Sequence, residues 1–302
     1  MNSTYHTHQR FGDYQLLHLL GQGGFTEVYL GEHVTTGQKV AVKLLDARQG
    51  GNELDKFFAR ASVLSYLQHP NIIQVFDSGI SDYTAYLTMS YASGGNLRQR
   101  YPKGSRLPLP TIIHYVKQIA SALQYVHQNQ LIHRDIKPHN ILLGDNETIM
   151  LSDFGIAVVT SNQDEEQPYF HDFEGTVIYA APEQLQGKPR KNSDQYALAV
   201  TVYEWLTGSW PFIGNFDEIV QQHLYADPPL LREKESSVPP AVEQIVLRAL
   251  EKEPEQRFSS IEAFAEALEQ AVPQQPAPSL DLLVSSFQPP KRQFKAPIPF
   301  KK

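Results

Sequence analysis

The chain has no cysteine, so neither a disulfide framework nor a thiol nucleophile is open to it. It has no long hydrophobic run: the longest, residues 196–206, is interrupted by Thr201 and Glu204. That stretch falls well short of the roughly 20 apolar residues needed to cross a bilayer, and it reads as a buried helix. Residues 1–10 are polar and contain His6 and His8, with no apolar centre of the kind a secretory signal requires. There is no excess of positive charge either. Lysine and arginine total 26 against 33 acidic residues, a net charge of −7, which argues against a general nucleic-acid binder. What remains is a 302-residue chain, long enough for one large domain or for two lobes with separate cores.

Two short clusters carry chemistry. His133, Arg134, Asp135, Ile136, Lys137, Pro138, His139 and Asn140 are consecutive, and Asp153, Phe154 and Gly155 follow. Moving a terminal phosphoryl group between oxygens needs a carboxylate to take the acceptor's proton, oxygen ligands for Mg²⁺ and a cation against the developing charge. Asp135, the pair Asn140 and Asp153, and Lys137 meet those needs in turn. Asp135 and Asn140 are five residues apart, so one turn can aim the first at a hydroxyl and the second at a metal. Mg²⁺ favours such oxygen donors.

Upstream, residues 14–20 and 21–30 read as two strands around a glycine turn containing Gly21, Gly23 and Gly24. Glycine lets the backbone approach phosphates and point N–H groups at them, since no Cβ intervenes. A further strand ends in Val40, Ala41, Val42 and Lys43. With these motifs in this order, from about residue 14 to 270, the chain resembles the bacterial-type, eukaryotic-like serine/threonine protein kinases.

The resemblance implies an α+β fold of two lobes: a small β-rich lobe over 14–89 and a larger helical lobe over 93–270. It implies ATP with Mg²⁺ or Mn²⁺, and Asp135, Lys137 and Lys43 as catalytic residues. Asn140 and Asp153 would hold the metal. Leu20, Gly21, Gly23, Val28, Ala41, Lys43, Met89, Tyr91, Ala92 and Leu142 would form the nucleotide site, with Thr26 in place of the family's third glycine. Met89 matches the gatekeeper, and the backbone of residues 90–92 would face adenine. Glu183 is expected to pair with Arg257 across the larger lobe. Lys137, and Gly175 with Thr176 ahead of Ala181, Pro182 and Glu183, resemble serine/threonine rather than tyrosine kinases. The expected partner is therefore a protein carrying a Ser or Thr hydroxyl, with no nucleic acid and no membrane span.

One position departs from the family. Apolar residues 54, 57, 58, 61, 64 and 67 recur at helical spacing before His69, Pro70 and Asn71 end the helix. Nine residues before that histidine, where relatives carry the glutamate that pairs with the lysine, stands Arg60. Two facing cations repel. Three outcomes stay open: Glu53 substitutes after a shift of the helix, Asp153 alone holds Lys43, or the chain is a pseudokinase, a nucleotide-binding signalling module. A small-molecule phosphotransferase of similar fold shares the Asp, Asn and Asp chemistry, but Lys137 and residues 175–183 argue against it.

Residues 162–175 contain no Ser or Thr, only Tyr169, and carry Asp164, Glu165, Glu166, Asp172 and Glu174. Arg134 resembles the arginine that grips an activating phosphate. A carboxylate could fill that place, or the segment is a solvated acidic loop with Thr160 or Ser161 as phosphate acceptor. From about residue 271 to 302 the composition turns proline-rich and basic, the mark of a flexible tail. A cytoplasmic kinase is the expectation.

Overall fold

The computed structural model describes residues 6–23, 25–49, 52–154, 157–158 and 177–272. Alternation sets up the first sheet. In β2 (Tyr14–Gly23), Tyr14 and Leu16 are buried and Gln15 between them is exposed, the period of a strand with one face on a core. β1 (Arg10–Phe11) precedes it, and β3 (Thr26–His33), β4 (Lys39–Asp46), β5 (Val75–Ser81) and β6 (Thr84–Ser90) complete an antiparallel sheet ordered β1-β2-β3-β4-β6-β5. β1 lies ahead of residue 14, the expected start of the lobe. In β6 every residue from Ala85 to Met89 is buried, as suits a strand covered on both faces.

α1 (Asn52–Tyr66) lies between β4 and β5 in the chain and turns Phe57, Ala61 and Leu64 to the core. Acidic residues in its first turn, Glu53 and Asp55, suit the positive end of the helix dipole.

The remainder is mainly helical. α2 (Leu97–Arg100) is opened by Asn96, whose side chain accepts from the Gln99 amide. α3 (Leu109–Gln128) buries Ile112, Val116, Ile119, Leu123 and Val126 completely, one stripe at helical spacing. β7 (Leu131–Ile132), β8 (Ile141–Leu143), β9 (Ile149–Leu151) and β10 (Ala157–Val158) form two small hairpin-like pairs, β8 with β9 and β7 with β10. Then come α4 (Pro182–Leu185), α5 (Lys191–Thr207), α6 (Phe216–Tyr225), α7 (Leu231–Lys234), α8 (Pro240–Ala249) and α9 (Ile261–Gln270). α5 is buried without a break from Ser193 to Thr207, so the apolar run read as a core helix is one. A β-rich N-terminal region and a helical C-terminal region give the expected two-lobed α+β architecture. Among the described residues no helix is long and apolar enough to cross a membrane.

The helical region is tied together by a buried ion pair. Arg257 and Glu183 side chains keep 0% and 7% of their surface. Arg257 donates to both carboxylate oxygens of Glu183 at 2.8 Å, and its three other N–H groups reach the carbonyls of Glu251, Asn192 and Lys252. Ser193 adds a hydroxyl to Glu183 at 2.7 Å. All five guanidinium donors are thereby used, which is the condition under which a buried pair holds rather than strains.

His223 in α6 is also fully enclosed. Its Nε2–H donates to the Ile178 carbonyl at 3.1 Å, and Tyr196 Oη lies 2.9 Å from Nδ1. Burial, reinforced by the charge of Lys252, pushes its pKa down to about 3.

Two stability measurements follow from this packing. Arg257→Ala leaves Glu183 charged and unpaired in the core and should cost about 3–5 kcal/mol in urea unfolding. Lys117→Ala, which removes an exposed partner of Glu269, should cost about 0.5 kcal/mol or less. An equal loss in both would contradict the role given to the buried pair. For His223, the unfolded chain takes up a proton near pH 6.5 and the folded chain does so only near 3, so stability is full above 6.5 and falls as pH drops. The contribution between pH 6.5 and 5 is about 2 kcal/mol. His223→Gln should lower the pH slope by about one proton, read from unfolding curves at stepped pH.

Candidate active site

Residues 133–140 join β7 to β8 as a loop, and its shape is fixed from behind. Asp194, on the buried helix α5, accepts the backbone N–H of His133 at 2.9 Å and of Arg134 at 2.8 Å, while His127 Nε2 lies 2.8 Å from the same carboxylate. Burial pushes the Asp194 carboxyl up, yet the hydrogen bond from His127 and the nearby His127 and His133 bring it below the ordinary carboxylate range. Arg134 adopts φ of +66°, a left-handed turn held by those bonds, and its carbonyl accepts from Gln184 at 2.8 Å. The His133 ring is fully buried with its centroid 4.3 Å from that of Phe154, so the two expected clusters touch through their apolar members.

The polar members converge on Asp135. Lys137 Nζ lies 2.9 Å from Asp135 Oδ2, and Asn140 Nδ2 donates to the same oxygen at 2.7 Å and to the Asp135 carbonyl at 2.8 Å. Both atoms facing the Asn140 nitrogen are acceptors, so its amide is fixed with Oδ1 turned the other way, available to a cation. Asp135 Oδ1 is buried and has no hydrogen-bond partner. The carboxylate is thus oriented through one oxygen, and the other is left unpaired, as a base needs if it is to take a proton from a hydroxyl.

Lys43 on β4 reaches Asp153, with Nζ 2.5 Å from Oδ1. Asp153 keeps 51% of its side-chain surface and sits at φ of +52°. The charge of Lys43 holds its carboxyl below the ordinary range against partial burial, and Arg60 and His133 add to the effect. Of the three outcomes foreseen for Arg60, the structure shows Asp153 holding Lys43. Glu53 does not substitute: it pairs with Lys56 at 2.8 Å within the same helix. An all-oxygen donor set, Asn140 Oδ1 and Asp153, fits a hard divalent ion completed by phosphate and water.

The residues expected around a base form one apolar wall. Ala41 and Met89 are buried neighbours across β4 and β6, and Leu20, Val28 and Leu142 pack against the same cluster. Val28 pairs with Gly21 on one side and Lys43 on the other. A Cβ built on Gly21 or Gly23 would meet nothing within 4 Å, so the protein itself leaves that space open. Tyr91 is half-buried and Ala92 buried in the connector. β6 extends to Ser90, whose N–H donates to the Gln74 carbonyl at 2.9 Å. The Ser90 amide is thus engaged, and Tyr91 and Ala92 follow it in the connector.

Sequence reasoning missed Asp194 and a second buried network, in which Arg98 meets Glu204 at 2.7 Å and Tyr179 at 2.7 Å, with Trp210 donating to the Tyr179 oxygen. The available signal was a carboxylate inside an otherwise apolar helix, which has to be satisfied by something. Gly155, residues 159–176 with Thr160, Ser161, Tyr169, Gly175 and Thr176, and the tail beyond residue 272 lie outside the described residues.

A family profile described as protein kinase domain matches residues 14–271. The chain belongs to the protein kinase family. Members of this family use ATP and a divalent metal and act on proteins. Among curated relatives, the serine/threonine-protein kinase PrkC of Bacillus subtilis is 37% identical over 255 residues, covering 83% of this chain and 39% of the relative. PknF of Mycobacterium tuberculosis is 36% identical over 278 residues, covering 85% of this chain and 56% of the relative. Pkn1 of Myxococcus xanthus is 37% identical over 278 residues and 87% of this chain, again 39% of the relative. The kinase chain therefore spans between 39% and 56% of the length of these proteins.

If Asp194 fixes the loop of this kinase through backbone bonds, Asp194→Asn should lower stability by about 2–3 kcal/mol. Amide hydrogen exchange at His133 and Arg134 should quicken in the same variant. Unchanged exchange there would show that the loop holds its shape without the carboxylate.

Proposed function

We propose that the chain is a serine/threonine protein kinase that transfers the γ-phosphoryl group of ATP to a hydroxyl of a protein. The observation that carries this reading is the oriented carboxylate of Asp135, fixed through Oδ2 by Asn140 and Lys137 and unpaired at Oδ1. The acceptor hydroxyl gives its proton to Asp135 as its oxygen bonds the γ-phosphorus. The bond from that phosphorus to the bridging oxygen breaks, and ADP leaves with the electron pair. Lys137, beside Asp135, offsets charge on the transferred group. Asn140 and Asp153 would hold Mg²⁺ or Mn²⁺, which would supply charge neutralisation for the phosphates. Lys43 reaches the phosphates from above, and Leu20, Val28, Ala41, Met89 and Leu142 enclose the base, with Tyr91 and Ala92 lending backbone contacts and Gly21 and Gly23 covering the phosphates.

On this reading one kinase domain runs over 14–270, with 14–89 the small lobe and 93–270 the large, ahead of the basic tail. Lys137 and the segment ending at Glu183 favour Ser or Thr as acceptor, and a cytoplasmic place of action agrees with the charge and composition. A second reading, a nucleotide-binding pseudokinase, is favoured by one observation: Arg60 stands on α1 and no carboxylate from that helix reaches Lys43.

Radiolabelled ATP with Mg²⁺ or Mn²⁺ and a generic protein acceptor separates the two. Active wild type whose phosphoryl transfer falls by about 10²–10⁴ in Asp135→Asn is the expected result. Nucleotide binding without transfer in the wild type would replace the kinase by the pseudokinase.

A further inference from the structure

A cavity of about 430 Å³ lies where the C-terminal end of α3, the first turn of α5 and the residues opening α9 meet. None of its lining residues belongs to the catalytic or nucleotide set. Its wall is polar: the amides of Gln124, Gln128 and Asn192, the hydroxyls of Ser259 and Ser260, and the ammonium of Lys191. Lys191 Nζ lies 3.4 Å from the side-chain oxygen of Gln130, which also lines the space, and no carboxylate is part of the lining. Of the acids nearby, Glu255 pairs with Arg190 and Asp194 receives His127. The wall is held in place by its own hydrogen bonds. Gln195, a lining residue that keeps 1% of its surface, accepts from the Phe258 amide at 3.0 Å and donates to the carbonyls of Phe258 at 3.1 Å and Ser260 at 3.0 Å. Asn192 donates to the Pro254 carbonyl at 3.2 Å, so residues 254–260 are fixed against α5.

We infer that this cavity is a regulatory site for a small hydroxylated molecule bearing one acidic group, a sugar phosphate or a sugar acid, whose binding steadies the loop that carries Asp135. Amides and serine hydroxyls both donate and accept, which suits a ligand rich in hydroxyls, and a single ammonium suits one acidic group. The volume falls within the range of small-molecule sites, about 300–1,000 Å³. One side chain joins the cavity to the loop. His127 lines the space, keeps 5% of its surface, and places Nε2 2.8 Å from Asp194, whose carboxylate holds the backbone N–H groups of His133 and Arg134. Asn192 and Gln195, also in the wall, stand on α5 to either side of Asp194. A ligand packed on all three restrains the imidazole against the carboxylate. It thereby favours the loop with both amides bonded over one in which they open.

Binding is measured by calorimetry on the 302-residue chain with glucose 6-phosphate, gluconate and glucose, and amide exchange at His133 and Arg134 is followed with and without each. Neither readout needs phosphoryl transfer, so the test is separate from that of the proposed activity. Wild type should bind at least one of the two anions with Kd of about 1 mM or below, and about tenfold or more tighter than glucose. Lys191→Glu should weaken that binding by about tenfold or more, and Gln128→Trp, which fills the cavity from an exposed position, should abolish it. Saturating wild type with the bound anion should slow exchange at His133 and Arg134 by about threefold or more. No binding of either anion, or binding that either variant leaves unchanged, overturns the site. Glucose bound as tightly as the anions overturns the acidic group assigned to the ligand. Binding that both variants weaken but that leaves exchange at the loop unaltered overturns the regulatory role.

Discussion

Asp194 places a carboxylate inside a helix that is buried along its whole length, and the loop that carries Asp135 hangs from it. A lone charge there would be prohibitive, so two backbone N–H groups and an imidazole must converge on it. That requirement fixes the path of His133 and Arg134 and forces Arg134 into a left-handed backbone. Once the path is set, Asp135 and Asn140 face one another at 2.7 Å without any further device. The position of the reactive groups is thus a consequence of how one buried charge is satisfied far behind them.

The same accounting distinguishes the other buried charges. Arg257 uses every donor it has, and Glu183 receives three bonds, so this pair can only stabilise the packing around it. Arg98 meets Glu204 and Tyr179 but leaves Nε without a partner. Arg60 has still less, with no pair at all among the described residues.

Much of this was legible in the sequence because it depends on residue type at fixed spacing. Asp135, Lys137 and Asn140 lie on one short loop, and Lys43 follows a strand whose alternation is plain. The pair Glu183 with Arg257 was anticipated by resemblance and found. What escaped was long-range bookkeeping: nothing in the text near residue 194 says which amides its carboxylate will receive, since they come from residues sixty positions away.

Sequence alone assigned Arg60 only a repulsive role toward Lys43. That role assumes the lysine has no other partner. The structure removes that assumption, since Asp153 takes the lysine at 2.5 Å.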